Sequence, residues 1–181
     1  MPSSLLIPLG CAIVALLVVF IRWSKRAWVV ASERASRPRK LRRAELIYME
    51  QVFRARWPIP VVAKVDRGYR DEGGLITLVE LKTRRANQPY LSDVIELSAQ
   101  RFALEAQTKN RVADYGYVLI QQPGSRLKTP HHVWLLNREE IIALAKRRDA
   151  ILSGLARAEY ACSTGLCRKC AFKSQCKPPA C

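Results

Sequence analysis

The chain has 181 residues, enough for one domain and an appendage. Its 31 Lys+Arg against 15 Asp+Glu leave a formal net charge of +16, more than solubility needs, which favours a polyanionic partner, either nucleic acid or an anionic membrane surface. Five of the six cysteines fall within the last twenty positions, which argues for one local cysteine site and against a disulfide framework spread over the chain.

Residues 1–21 carry no charged side chain, and Leu5 to Ile21 is a nearly unbroken apolar run. Seventeen residues make about 26 Å of helix, at the short end of what crosses a bilayer. Pro8 stands near the start, where a helix tolerates it. Arg22, Trp23, Lys25, Arg26 and Trp28 follow at once, and basic residues with tryptophans mark a cytoplasmic membrane interface. The expectation is a single-pass anchor in the inner membrane of a bacterium or archaeon, with the rest of the chain cytoplasmic. A cleaved signal peptide fits worse, and a buried helix is the alternative. Residues 22–43 hold nine Lys or Arg and one acid, Glu33. Such an arm suits anionic lipid headgroups or phosphates.

The spacing of Leu46, Ile47, Met49 and Phe53 predicts a helix over Ala44–Arg56. Trp57-Pro58-Ile59-Pro60 ends it. Two β-rich runs come next, Val61–Val65 and Leu75–Leu81, and the turn Asp71-Glu72-Gly73-Gly74 between them predicts a hairpin. A hairpin brings Asp66 opposite Glu80, while Lys82, two residues on, shares a strand face with Glu80. Two carboxylates and an ammonium at one spot suit metal-assisted phosphodiester hydrolysis. The carboxylates offer hard oxygens to a cation, and the amine stabilises charge or handles a proton. The alternative is a set of solvated strand-end charges with Lys82 as their ion-pair partner.

In the basic loop Thr83–Tyr90, Arg84 and Arg85 are candidates for gripping phosphates. A helix is expected over Leu91–Lys109, with Ser92 as N-cap and Asp93 in its first turn. Glu96 and Gln100, four apart, share one of its faces. Strands are predicted over Tyr115–Gln121 and His131–Leu136, and the adjacent His131 and His132 point to opposite faces and make a poor chelate. Asn137 caps a last helix, Arg138 to about Tyr160. Cys162, Cys167, Cys170, Cys176 and Cys181 then follow with the spacing C-x4-C-x2-C-x5-C-x4-C. Two residues between Cys167 and Cys170 let both thiolates meet one metal. Four thiolates suit zinc or an iron–sulfur cluster, and the spacing does not choose between them.

Asp66 followed by Glu80-Leu81-Lys82 resembles the PD-(D/E)xK nuclease superfamily. The spacing of Cys167, Cys170 and Cys176 narrows the resemblance to RecB-like nucleases similar to the CRISPR-associated exonucleases. It covers roughly Glu45 to Cys176. It implies an α/β fold, a three-layer restriction-endonuclease-like core over 44–160, with the anchor 1–21 and the arm 22–43 before it and the cysteine cluster 161–181 after it. The implied activity is metal-dependent hydrolysis of DNA, with an exonuclease expected. In it Asp66 and Glu80 would ligate Mg2+ or Mn2+ and Lys82 would be the catalytic amine. The family carries a glutamine followed four residues later by tyrosine on the helix after the hairpin. Here the matching spacing runs from Glu96 to Gln100, and Gln100 would touch DNA or orient the site. Glu45 or Glu50 would supply a further acid from the preceding helix. The resemblance also implies a 4Fe-4S cluster; with Cys11 inside the apolar run, Cys162 is the natural fourth ligand and Cys181 the second choice. Two rival readings remain at this stage: a non-catalytic nucleic-acid-binding module with a structural zinc, and a lipid-binding membrane protein.

Overall fold

The structure, a computed structural model, describes residues 16–24, 31 and 33–159. The chain divides into two units between Ile141 and Ile142, and the sheet and the sites below lie in the first. Five strands form one sheet: β1 (Glu45–Ala55), β2 (Val61–Arg70), β3 (Ile76–Thr83), β4 (Val112–Gln121) and β5 (Lys128–Trp134). They lie in sequence order, antiparallel except for the parallel pair β3–β4. Parallel neighbours need a crossover, and helix α1 (Leu91–Thr108) supplies it. Helix α2 (Arg138–Leu152) ends the described fold.

Strand alternation sorts the core into two faces. Ile76 and Leu78 of β3 and Val118 and Ile120 of β4 pack with Leu97, Ala103 and Leu104 of α1. Val79, Tyr117 and Leu119 point the other way and pack with Leu41 and Ala44. On that second face, among the described residues, the segment 33–44 takes the place expected for a further helical layer. A polar network holds it there. The Glu33 carboxylate accepts from both Arg37 and the Tyr69 hydroxyl, and Arg67 donates to Ser36 at 3.0 Å. Burial alone would raise the Glu33 pKa, but the hydrogen bonds from Arg37 and Tyr69 outweigh it and hold the carboxyl below its usual range.

The helix expected over Ala44–Arg56 is a strand. From Glu45 to Ala55 it pairs with β2, with one register shift between Leu46 and Tyr48. The apolar residues there fit a helix stripe loosely, but Ile47, Tyr48, Val52 and Phe53 are strand formers, and β2 needs a hydrogen-bonded neighbour. The hairpin of β2 and β3 stands as expected, with Gly74 at φ +79 in its turn, a conformation glycine adopts without steric cost. At α1 the cap differs from the expected Ser92. The helix starts at Leu91 as expected, but Tyr90, two residues before Ser92, holds the N-cap place, and Asp93 reaches back to accept the Tyr90 N–H at 2.7 Å. Asn137 does cap α2. Its Oδ1 accepts the Glu140 N–H at 2.9 Å while Glu140 accepts the Asn137 N–H at 2.7 Å, a reciprocal capping box. The helix stops at Leu152, short of the expected Tyr160, with Gly154 at φ +76 just beyond.

The expected anchor lies mostly outside the described residues. Residues 16–24 are helical and Leu16 to Ile21 are exposed. Among the described residues no helix is long and apolar enough to cross a membrane. Cys162, Cys167, Cys170, Cys176 and Cys181 all lie outside the described residues.

Candidate active site

The β2–β3 ladder ends at the pair Arg67 and Val79. One step beyond, the Asp66 carboxylate accepts the Leu81 N–H at 2.9 Å, the place a ladder carbonyl would otherwise fill. No β2–β3 pair follows Arg67 and Val79, and Glu80 lies next to Val79 on β3. It belongs to the α1 face of β3 and is only 3% exposed. Its Oε2 accepts from Gln100 Nε2 at 2.6 Å and its Oε1 meets Lys82 Nζ at 2.8 Å. Lys82 also donates to Glu96 Oε2 at 2.7 Å.

Each charge state follows from these neighbours. Burial pushes the Glu80 carboxyl up to about 7, against the hydrogen bonds from Lys82 and Gln100, and the nearby charges of Asp66 and Glu96 add to the rise. Burial works against the Lys82 charge, but hydrogen bonds to Glu80 and Glu96 outweigh it and hold the side chain firmly as an ammonium. Gln100 is 1% exposed, and its Oε1 is a buried acceptor without a partner among the described residues. Leaving such an atom unpaired costs about 1–3 kcal/mol.

That donor set fits a hard divalent cation. Asp66 and Glu80 offer carboxylate oxygens, and Gln100, which is bonded to Glu80 through Nε2, carries a buried acceptor that no described residue meets. Among the described residues no group of three or more His, Cys, Asp or Glu gathers as a metal cage. Magnesium-type sites need none, because the ion keeps several waters and takes one or two carboxylates.

The profile of the PD-(D/E)XK nuclease superfamily matches residues 18–177. The chain belongs to that superfamily. No curated protein matches it. Among solved structures it is similar to SSO0001, with 16% identity and a TM-score of 0.49 over 97% of this chain and 75% of the other. It is also similar to a provisionally assigned exonuclease from Eubacterium rectale, with 10% identity and a TM-score of 0.45 over 74% of this chain and 55% of that one.

Of the residues singled out in this PD-(D/E)XK chain, Asp66, Glu80, Lys82 and Gln100 come together. Glu45 and Glu50 do not join them. Both lie on β1, where Glu45 pairs with Arg70 at 2.8 Å and Glu50 with Lys64. Arg84 is committed elsewhere: its guanidinium pairs with Asp93 and lies 4.3 Å from the Tyr90 ring centre. Arg85 is exposed, as a phosphate-gripping residue would be. His131 faces Asn87 at 2.9 Å and His132 stacks on Tyr115. The reading of the sequence missed Glu96 as a partner of Lys82. Its one signal was the four-residue step to Gln100, which puts both on the helix face turned toward β3.

Proposed function

We propose that the protein is a metal-dependent deoxyribonuclease that hydrolyses phosphodiester bonds at Asp66, Glu80 and Lys82. The observation that carries this reading is the buried Glu80 carboxylate, held by Gln100 and Lys82 beside Asp66 at the point where β2 and β3 part. Membership of the nuclease superfamily supports it. Asp66 and Glu80 would hold Mg2+ or Mn2+, and the bound ion would supply Lewis-acid charge and an activated water. Lys82 is an ammonium kept charged by two carboxylates, which suits stabilising negative charge on the phosphate better than taking a proton. Gln100 orients Glu80, being too buried to meet DNA itself.

The test is cleavage of labelled single- and double-stranded DNA with manganese by the wild type and by Lys82→Ala. Loss of orders of magnitude in rate, with folding and DNA binding retained, is the expected result. Equal cleavage by both would sink this assignment. The reading extends to exonuclease action, to a bilayer anchor through residues 5–21 and the basic arm, and to a 4Fe-4S cluster on Cys162, Cys167, Cys170 and Cys176, with zinc as the alternative. Support for these comes from the apolar run, the nine basic residues after it and the cysteine spacing.

A further inference from the structure

A hollow of about 640 Å³ opens where the end of β1, the β1–β2 connection and the last turn of α1 meet, lined among others by Arg54, Arg56, Trp57, Gln107, Lys109 and Arg138. Its lining includes four cations and no carboxylate. None of the four is ion-paired among the described residues. Arg138 is partly engaged, with its guanidinium 5.2 Å from the Phe102 ring centre. The wall is built: Gln107 Oε1 accepts the Arg54 N–H at 2.7 Å and ties β1 to α1. The C-terminus of α1 brings about half a negative charge, which four full positive charges outweigh. Beside them Trp57 stands 81% exposed, an indole face turned to water.

We propose that this hollow is a binding site for single-stranded nucleic acid, with the cations on phosphates and Trp57 stacked on an unpaired base. Cations alone would suit any polyanion. The exposed indole decides between strands, because a duplex buries its base faces and a single strand offers them. The hollow lies within reach of the carboxylates: Gln107 follows Gln100 by seven residues, about 10 Å along α1. A strand held there can continue to Asp66 and Glu80 within a few nucleotides. In that respect the inference rests on the nuclease reading and deepens it, making the single strand flanking the cut the part of the substrate that is gripped.

Lys109 gives the test a clean variant. It closes α1 with φ +62, a left-handed conformation that glycine adopts more easily than lysine. Lys109→Gly therefore removes charge without straining the fold. Binding of a fluorescein-labelled single strand to the full chain would be read by anisotropy without divalent cation, so that cleavage plays no part. Arg56→Ala/Lys109→Gly should bind about tenfold more weakly and lower the slope of log affinity against log salt by about 1.4, or 0.7 per cation. Trp57→Ala should weaken the single strand at least about fivefold and leave a blunt duplex of equal length unchanged. A control of equal charge loss at two exposed positions, Arg126→Ala/Arg157→Ala, should lose much less. Equal loss in the control, or no discrimination by Trp57→Ala between single strand and duplex, overturns the site. Hydrolysis of bis(p-nitrophenyl) phosphate by the wild type with manganese tests the chemistry separately. Its absence alongside the expected binding losses would remove the nuclease reading and leave the strand site standing.

Discussion

At the residue scale the decisive group is Glu80. A buried carboxyl with its pKa at about 7 is destabilising once it ionises. Below the ordinary carboxylate value it carries its proton whether folded or unfolded. Between there and about 7 the unfolded chain has released the proton and the folded chain retains it, so stability falls as pH rises through that window. Glu80→Gln removes this dependence while keeping the shape and a partner for Gln100. Its melting temperature in metal-free buffer should exceed that of the wild type by several degrees above the window and match it below, and cleavage should be lost at every pH. A melting difference independent of pH would contradict the assignment. On the proposed reading a cation would compete with the Glu80 proton, so manganese should bind more tightly as pH rises toward about 7.

The elements explain how those residues meet. Strand β3 holds Glu80 and Lys82 on the face that α1 covers, and α1 presents Glu96 and Gln100 to them one turn apart. Strand β1 carries none of this chemistry but supports β2, and its irregularity sits close to the site. Between Leu46 and Tyr48 the register shifts, and Tyr48 lies over Gly68 of β2. A Cβ at Gly68 would stand 2.9 Å from Tyr48 Cδ2 and 3.3 Å from its Cβ. Gly68→Ala must therefore push Tyr48 aside, at a cost of about 1–3 kcal/mol in urea unfolding. Gly68 is two residues from Asp66, so manganese-dependent cleavage should fall as well. Unchanged stability would show that β1 yields freely.

For the whole molecule, charge comes first. A net charge of +16 makes any contact with nucleic acid strongly dependent on salt. With about six phosphates contacted, affinity should fall about a thousandfold between roughly 50 and 200 mM salt, read as a rise in KM with little change in kcat. A flat salt response would mean that the basic residues serve another partner. Lipid vesicles offer that comparison. Removal of residues 1–21 should abolish sedimentation with them if the apolar run is an anchor, and leave DNA cleavage intact. At the other end, protein purified without oxygen should be brown if the cysteines hold iron and sulfur, and Cys167→Ser should bleach it; colourless protein with stoichiometric zinc would support the alternative ligand.

The sequence by itself determined the local chemistry. The Gly-Gly turn, the β-rich runs on either side and the two-residue step from Glu80 to Lys82 were enough to bring Asp66, Glu80 and Lys82 to one end of a hairpin. Turn geometry and strand alternation are short-range rules. The capping pair Asn137 and Glu140 was legible for the same reason. Only the tertiary structure decided that 45–55 is a strand, because that segment's choice depended on β2 having an edge to complete, which no periodicity within the segment records. Only it decided that Glu45 pairs with Arg70, Glu50 with Lys64 and Arg84 with Asp93, that Glu96 pairs with Lys82, and that Gln100 is buried against Glu80. Those outcomes depend on which surfaces pack together. Packing is also what gives Glu80 its altered pKa, since burial belongs to the fold and not to the residue.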